Sequence, residues 1–381
     1  MDEISRPRFG VGNIDTRKAP VVFLPDEGSG GHKRASVAGL ARRIALLRGS
    51  RFIDAASEPC LPQRIYAVPM STLVGGEIAG RLGIESENDL FGGYVPYPVQ
   101  AGKAIGHGLV DEAAAHPQGW PAAFCEAVRP VVLSGFSAFD RESAGRAGRR
   151  LLARGPIRLK PAWSDGGHDQ VTVDSAAAFD AALEAIEAQE LAASGLAIEE
   201  NLAESVTFSI GHAKIDDLLV SYHGRQTTTS DNRGRTAYGG SALTVVPGDI
   251  ERLLDLPVDR DTRQAIHCAL VYDQAAMQHL PGLVASRRNY DVISGRDSEG
   301  RRRIGVLEQS WRIGGASSAE IAAFQAFSAD PALKAVRAVC VESYGRHVEV
   351  PDDADIHFEA DDPEVGPLVK YARIEARSRA L

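Results

Sequence analysis

The chain has 381 residues, of which 44% are hydrophobic and 24% charged, a composition typical of a soluble globular protein with more than one domain. Its formal net charge of −9 argues against a broad nucleic-acid-binding face, because such faces concentrate lysine and arginine. No stretch approaches the roughly 18 apolar residues of a membrane span, no signal-peptide core is present, and the four cysteines lack metal-ligand spacing, so we expect a cytoplasmic protein without nucleic-acid or membrane partners.

Strands that alternate with helices predict a parallel α/β domain over residues 1–135. Residues 19–25 form an apolar strand and a helix runs to about residue 47, and the pattern repeats over residues 64–82, with a further strand at 129–135. The glycine turn at 26–34 fits neither GxxxxGK[ST] nor GxGxxG, so we favour a tight βα turn over a phosphate loop by about three to one.

Residues 89–107 are rich in glycine, proline and aromatic residues and contain Lys103 and His107. Such a stretch is as often a packed surface loop as the wall of a pocket. We regard both side chains as candidates for the substrate side of a site.

The most informative stretch is 158–170, where Lys160 lies on an apolar strand directly before a polar loop that contains Gly166 and Gly167. A lysine ammonium is a compact charge suited to phosphate, and glycines let backbone N–H groups approach phosphate oxygens closely. This combination is typical of nucleotide binding.

Beyond residue 195 the pattern changes. A strand at 196–202 ends in two carboxylates, and the strands that follow between 206 and 246 have the alternation and spacing of an antiparallel sheet. The chain therefore switches from parallel to antiparallel β-structure.

A predicted hairpin over residues 286–317 brings Asp291 near Glu308. Both carboxylates stand where apolar alternation does not require them, as in an oxygen-ligand Mg²⁺ site completed by nucleotide phosphates. Two solvated carboxylates paired with arginines at 301–303 would explain the hairpin equally well when it is considered alone.

The lysine strand and loop, the Glu-Glu strand end and the Asp…Glu-x-Ser-x-Arg-x-Gly-Gly hairpin occur in an order that resembles the ATP-grasp superfamily of ADP-forming ligases, over about residues 136–344. The chain is most similar to an uncharacterised bacterial branch of it. The resemblance implies an α/β and α+β fold in which the amino-terminal parallel α/β domain precedes a two-subdomain ATP-grasp fold. The implied limits are 136–345 for that fold, with a nucleotide-lid subdomain at about 155–202 and a metal-binding subdomain at about 203–345, and 346–381 for a carboxy-terminal tail.

The resemblance also implies site residues for ATP and for Mg²⁺, with Mn²⁺ as a substitute. For the ribose it offers Glu204, although Thr207 has the more natural position. Asp291 and Glu308 match the metal-binding acids, and Ser310 stands where the family often has asparagine. The nucleotide contacts would be Lys160, Ser164, Gly166, Gly167 and His168 for the phosphates, and Glu199, Glu200, Asn201 and Leu202 for the adenine.

Two basic positions complete the implied site. Arg312 matches an arginine that faces phosphate or an acyl-phosphate, and Arg288 would serve likewise. The earlier phosphate-binding lysine of the family has no evident match, and the arginines considered in its place are Arg141, Arg146 and Arg149.

The implied activity is an ATP-dependent ligase that joins a small-molecule carboxylate to an amine or similar nucleophile through an acyl-phosphate, releasing ADP and phosphate. The alternatives are phosphoryl transfer to another small molecule and a silent nucleotide-binding protein, which the serine at 310 and the unmatched lysine would favour. A homodimer is left open.

Overall fold

Four β-sheets and the helices packed on them make up the residues that the structure, a computed structural model, describes: 14–58, 60–162 and 170–381. The helices are α1 (Gly31–Arg48), α2 (Gly76–Leu82), α3 (Pro98–Ala101), α4 (Ala122–Val128), α5 (Arg141–Leu152), α6 (Ala176–Glu184), α7 (Ala188–Ser194), α8 (Arg260–His279) and α9 (Ser317–Ala329). The strands are β1 (Val21–Leu24), β2 (Phe52–Asp54), β3 (Tyr66–Pro69), β4 (Leu73–Val74), β5 (Gly93–Val95), β6 (Gly135–Ala138), β7 (Ile157–Pro161), β8 (Val171–Val173), β9 (Leu196–Glu200), β10 (Ala203–Ile215), β11 (Leu218–Ser230), β12 (Thr236–Pro247), β13 (Val284–Ala285), β14 (Arg287–Arg296), β15 (Arg302–Ser310), β16 (Ala335–Tyr344), β17 (Asp355–Asp362) and β18 (Gly366–Ser378).

The amino-terminal sheet is parallel, with the order β2-β1-β3. Its central strand β1 is short and apolar, and Val21 and Phe23 pack with apolar residues of α1 in one core cluster. α1 ends at Gly49, which has φ 61°, a left-handed conformation that glycine adopts without a Cβ clash. A separate small sheet has the order β13-β5-β4. The predicted parallel α/β character of this region is confirmed.

Residues 129–135 do not add a strand to the parallel sheet, contrary to the prediction. Residues 129–131 form a short 3-10 helix with Pro130 near its start, and Val132 makes an isolated bridge to Val306 in another sheet. Proline has no N–H to donate to a strand ladder, which explains why this apolar run is not a regular strand.

The predicted lysine strand is an inner strand of a four-stranded antiparallel sheet with the order β6-β9-β7-β8. α5 and α6 cover it through an apolar cluster that includes Leu151 and Phe179. Gly148 of α5 allows the close approach, because a Cβ there would lie 2.2 Å from the Phe179 ring. This sheet places β7 and β9 side by side, so that Lys160 and Glu199 come from neighbouring strands.

The largest sheet has eight strands in the order β15-β14-β10-β11-β12-β16-β18-β17, with antiparallel pairing between neighbours. Alternating residues of β10 point to opposite faces. Phe208 and Ile210 pack in the cluster that contains α8, whereas Ala213 packs in the cluster that contains α9 and α1. The switch from parallel to antiparallel structure is confirmed, and with it the predicted fold class. The chain thus combines a parallel α/β region with two antiparallel sheets.

The predicted carboxy-terminal tail, 346–381, is not an extended surface segment. β18 pairs with β16 from Leu368 to Ser378, and β17 pairs with β18 at the edge of the large sheet. The acidic composition of this region suggested solvent exposure, but its alternating apolar residues, such as Leu368 and Ala372, are buried in the sheet. The other predicted domain limits stay a prediction.

The turn between β17 and β18 caps helix α1. The carboxylate of Asp362 accepts a hydrogen bond of 2.6 Å from the backbone N–H of His32, in the first turn of that helix. Gly31 has φ 59°, and a Cβ at this position would lie 2.5 Å from Asp362 Oδ2. The glycine turn at 26–34 therefore receives a carboxylate of the chain itself, in agreement with the prediction of a tight turn.

Replacing Asp362 by alanine is expected to lower the free energy of unfolding by about 1–2 kcal/mol, because a helix N-terminus loses its carboxylate cap. Asp361→Ala is the matched control, since Asp361 makes only an exposed ion pair with Arg346 and should cost no more than about 0.5 kcal/mol. Chemical denaturation of both variants measures the difference. Equal losses would show that the contact with α1 adds nothing.

Candidate active site

Lys160 is buried between the four-stranded and the eight-stranded sheets. Its side chain is 1% exposed, and Nζ donates to Glu199 Oε2 (3.0 Å) and to the backbone carbonyl of Leu307 (2.8 Å). Leu307 lies at a bulge of β15, where the pairing with β14 shifts after Asp291–Glu308. A bulge leaves its extra residue out of the ladder, which frees this carbonyl for the lysine. The ammonium thus joins the two sheets.

Glu199 is the direct partner of Lys160 and is equally buried. Its Oε2 also lies 3.1 Å from His107 Nε2, while Oε1 is buried and has no hydrogen-bond partner among the residues that the structure describes. Burial alone would raise the pKa of Glu199, but Lys160 and His107 outweigh it and hold the pKa below its ordinary value. The carboxylate is therefore charged, with one oxygen left for a further donor.

The next two residues predicted to contact adenine, Glu200 and Asn201, bond different partners from those of Glu199. Side chains alternate along β9, so Glu200 points away from Glu199 and accepts from Ser134 N (2.9 Å) and Arg303 (3.0 Å). Asn201 Oδ1 accepts from the Arg158 guanidinium (3.0 Å). The side chains of Glu200 and Asn201 are thus held by partners of the fold, and the predicted contact of this segment with adenine through its backbone stays a prediction.

Leu202 lies in a small apolar cluster between the two sheets, together with Leu133, Ile293 and Leu307. Glu204 has φ 47° and makes an exposed ion pair of 3.2 Å with Arg296, and so is not directed into this region. The apolar cluster lies beside the Lys160–Leu307 contact. The predicted contact of Leu202 with a nucleotide base stays a prediction, whereas the side chain of Glu204 is held by Arg296 and does not reach this region.

Asp291 and Glu308 are direct partners in the pairing of β14 with β15. Asp291 Oδ1 accepts from Gln226 Nε2 (2.8 Å) and from Asn289 Nδ2 (3.0 Å), and Glu308 Oε2 lies 2.7 Å from Lys103 Nζ. Burial, followed by the neighbouring charge of Glu308, raises the pKa of Asp291 to about 6. The two carboxylates thus lie side by side, and the Lys103 ammonium contacts one of them, Glu308.

Ser310 and Arg312 follow these acids at the end of β15. Ser310 pairs with Asn289, and the buried guanidinium of Arg287 donates to the backbone carbonyls of Ser310 and Arg312 while forming an ion pair of 2.7 Å with Glu320 of α9. Arg312 donates to the carbonyl of Ile313 (3.0 Å). Arg287 therefore fixes the backbone of this segment, a role that the sequence did not predict.

Arg288 does not belong to the site, contrary to the prediction. Because side chains alternate along β14, Arg288 points to the face opposite Asn289 and Asp291. It forms an ion pair of 2.7 Å with Asp273 of α8 and is 8% exposed, and Tyr290 donates to the same carboxylate. Arg288 is a structural side chain between the sheet and α8.

The arginines considered for the first phosphate-binding position also lie elsewhere. On α5, Arg141 donates to the carbonyls of Leu183 and Ile186, and the other two pair with surface acids: Arg146 with Asp111, and Arg149 with Asp180. Lys103 is the basic residue that reaches the acids instead. Its backbone N–H bonds Ala162 O (3.3 Å), which brings the glycine-rich loop to the end of β7. In the sequence, this role of Lys103 is indicated only by its position in the loop rich in glycine and proline.

The predicted phosphate loop, with Ser164, Gly166, Gly167 and His168, lies outside the described residues. Among the residues that the structure does describe, Lys160, Lys103, Asp291 and Glu308 come together at the junction of the two sheets. In the same described ranges, no group of three or more His, Cys, Asp or Glu side chains is placed to hold a metal ion. A cation bound by two carboxylates alone needs further oxygen ligands, as Mg²⁺ does when nucleotide phosphates complete its shell.

The raised pKa of Asp291 has a consequence for the metal-free protein. Since its folded value of about 6 lies above the ordinary 3.8, the folded state binds more protons than the unfolded state between these values. Stability from this group therefore rises as the pH falls from 7 towards 4. We expect Asp291→Asn to stabilise the metal-free protein at pH 7.5 and to lose this advantage by pH 4.5. Denaturation of both proteins across this range tests it, and a difference that does not change with pH would contradict it.

A family described as "Protein of unknown function (DUF3182)" matches residues 23–372. The chain belongs to this family. No curated protein matched the sequence. In the ranges that the structure describes, no helix of this family member is long and apolar enough to cross a membrane.

Several solved structures are similar in fold to this family member. D-alanyl-alanine synthetase A from Vibrio cholerae has a TM-score of 0.49 and 12% identity, over 82% of this chain and 94% of that one. A biotin carboxylase complex with β-γ-ATP from Campylobacter jejuni has a TM-score of 0.49 and 10% identity, over 93% and 87%. N5-carboxyaminoimidazole synthetase from Staphylococcus aureus has a TM-score of 0.47 and 13% identity, over 95% of each chain.

Proposed function

We propose that this protein is an ATP-grasp ligase of the ADP-forming, carboxylate–amine type. The observation that carries the proposal is the meeting of Lys160 and Lys103 with Asp291 and Glu308 where the two antiparallel sheets touch. Lys160 contacts the carbonyl of Leu307, directly before Glu308, and Lys103 contacts Glu308 itself, and two ammonium groups beside two carboxylates are suited to a polyphosphate and its divalent cation.

The groups present fit ATP and Mg²⁺, or Mn²⁺ in its place. Glu199 Oε1 is a buried acceptor to which no described residue donates, and the exocyclic amine of adenine is a donor of the kind it lacks. Leu307, the partly exposed member of the neighbouring apolar cluster, would offer apolar surface for a base. Asp291 and Glu308 would hold the cation, and Ser310 has a hydroxyl on the same face of β15.

Each ammonium of the site has a carboxylate partner in the ligand-free chain. Lys160 is paired with Glu199, and Lys103 with Glu308. These pairs keep the lysine charges in place without leaving a buried charge uncompensated. When the nucleotide complex binds, phosphate oxygens would replace the carboxylates as partners of the two lysines, and the cation would replace Lys103 as the partner of Glu308. The binding would thus exchange ion-pair partners without leaving these lysines or Glu308 unpaired.

The reaction that this arrangement supports is phosphoryl transfer followed by acyl transfer. Bound Mg²⁺ supplies charge neutralisation at the phosphate oxygens. Lys160 and Lys103 stabilise the negative charge of the transferred group, and Arg312, two residues after the end of β15, would stabilise the acyl-phosphate. A substrate carboxylate oxygen bonds to the γ-phosphorus as the bond to ADP breaks. An amine then displaces phosphate, loses its proton and forms the new bond to the acyl carbon.

The partners of this reaction are a small-molecule carboxylate and a small nucleophile, consistent with the net charge of −9, which argues against nucleic acid. We propose that the protein is cytoplasmic. A homodimer stays a hypothesis.

Hydroxylamine tests the proposed intermediate. It is a small nucleophile that converts an acyl-phosphate into a hydroxamate, whatever the natural amine is. Incubation with Mg-ATP, hydroxylamine and pools of carboxylates is expected to give a hydroxamate and ADP in equal amounts. Release of AMP, or ADP with a stable phosphorylated product and no hydroxamate from any carboxylate pool, would contradict a carboxylate–amine ligase.

A further inference from the structure

The carboxylate of Asp291 is held by two neutral amides that the sequence did not single out. Gln226 comes from β11 and reaches past β10 to β14, and Asn289 lies two residues before Asp291 on the same face. Both donate to Oδ1, at 2.8 Å and 3.0 Å. Oδ1 is therefore occupied by two donors, and Oδ2 is the oxygen left for a cation.

The orientation of the Asn289 amide is fixed in turn. Ser209 (2.7 Å) and Tyr222 (2.9 Å) both donate their hydroxyl hydrogens to Asn289 Oδ1. A charged Asp291 can only accept, so the NH₂ group of Asn289 must face it and the carbonyl oxygen must face the hydroxyls. All three supporting side chains are almost fully buried. The hydrogen bonds from Tyr222 and Ser209 to Asn289, and from Asn289 to Asp291, thus all donate towards Asp291.

Neutral donors suit a carboxylate that is to receive a cation. A lysine or arginine at position 226 or 289 would orient Asp291 equally well, but its positive charge would oppose the incoming metal ion. An amide orients the acid and leaves its negative charge uncompensated. The nearest ammonium, that of Lys103, contacts Glu308 instead.

We propose that Gln226 and Asn289 are positioning residues that hold Asp291 ready for the divalent cation of the nucleotide complex. This inference rests on the proposed function, because it assigns a role at the same site. Partners that orient a metal ligand typically contribute a factor of about 10–100 in metal affinity.

Mn²⁺ binding in the presence of ADP, followed by electron paramagnetic resonance, tests the role of Gln226, which is only partly buried. Gln226→Leu is expected to weaken Mn²⁺ binding by about 10–100-fold, while the affinity for ADP in EDTA and the melting temperature in EDTA stay near the wild-type values. Gln274→Leu is the control, since Gln274 is exposed on α8 and bonds Glu251; it should change none of these values. Gln226→Lys keeps a donor but adds a charge, and is expected to bind Mn²⁺ more weakly than the wild type.

The outcomes separate this inference from the proposed function. Wild-type protein that binds no Mn²⁺ with ADP would overturn both. Wild-type protein that binds Mn²⁺, together with a Gln226→Leu variant of equal affinity, would overturn the positioning role alone. An equal loss of ADP affinity in EDTA would also overturn it, because a general structural defect would then account for the change.

Discussion

Replacing Lys160 by alanine is expected to remove the stabilisation of this protein by Mg-ATP and to lower its free energy of unfolding by about 3–5 kcal/mol. Lys160 donates both to Glu199 and to the carbonyl of Leu307, and each of these groups is buried. Without the ammonium, His107 is the partner that the Glu199 charge keeps among the described residues, and the Leu307 carbonyl loses a charged donor. Denaturation without nucleotide measures the first loss, and melting with and without Mg-ATP measures the second.

The double variant Lys160→Met, Glu199→Gln separates the two roles of the lysine. Removing both charges leaves no unpaired buried ion, so most of the lost stability is expected to return. Nucleotide binding is not expected to return, because the phosphate-binding ammonium is still missing. If Lys160→Ala keeps the full Mg-ATP response, or if the double variant recovers it, Lys160 is a structural residue and the proposed site is wrong.

Asp291→Asn and Glu308→Gln are expected to weaken Mn²⁺ binding with ADP by more than about 100-fold each, beyond the usual effect of an outer partner. Their effects on the metal-free protein should have opposite signs. Asp291 has only neutral donors and a like charge beside it, so neutralising it relieves repulsion and raises stability at pH 7.5. Glu308 is paired with Lys103, which is 10% exposed, so neutralising it leaves a poorly solvated ammonium and lowers stability.

The comparison needs two measurements on each variant: Mn²⁺ affinity by paramagnetic resonance, and the free energy of unfolding in EDTA at pH 7.5. Glu299→Gln on the hairpin tip is a suitable control, since Glu299 makes an exposed ion pair with Arg301 and should change neither value appreciably. Unchanged Mn²⁺ affinity in both acid variants would rule out Asp291 and Glu308 as the metal ligands.

The sequence predicted the acids because apolar alternation does not require them, and the lysine because it lies on an apolar strand directly before a glycine-containing loop. It failed where the answer depended on which face a residue occupies. Arg287 and Arg288 are adjacent, and a shift of one residue exchanges their faces, so only the register of β14 shows that Arg287 supports the site and Arg288 the helix α8. Glu199 and Glu200 differ in the same way.

Lys103 was predicted only as a candidate for the substrate side of a site, and its contact with the acids was missed for another reason. It lies 57 positions before Lys160, in a loop without periodicity, and its contact with Glu308 exists only because the loop is hydrogen-bonded to the end of β7. Gln226 likewise reaches Asp291 across an intervening strand. Contacts of this kind follow from tertiary packing, which no local pattern encodes.

The carboxy-terminal strands show that an acidic composition does not by itself predict solvent exposure. Acidic residues at 352–364 suggested a solvated tail, yet Asp362 is 3% exposed and caps a helix more than 300 residues earlier in the chain. One buried carboxylate with a backbone donor is indistinguishable in sequence from its solvated neighbours.

Binding of Mg-ATP to the wild-type protein tests the central claim most directly. Calorimetry and thermal melting at millimolar Mg-ATP, each repeated with EDTA, should reveal saturable binding that depends on the divalent cation. At 100 times the dissociation constant, a single site stabilises the folded state by about 2.7 kcal/mol, so melting should shift upward by several degrees. Absence of both heat and shift at millimolar Mg-ATP would contradict the assignment of Lys103, Lys160, Asp291 and Glu308 to a nucleotide site.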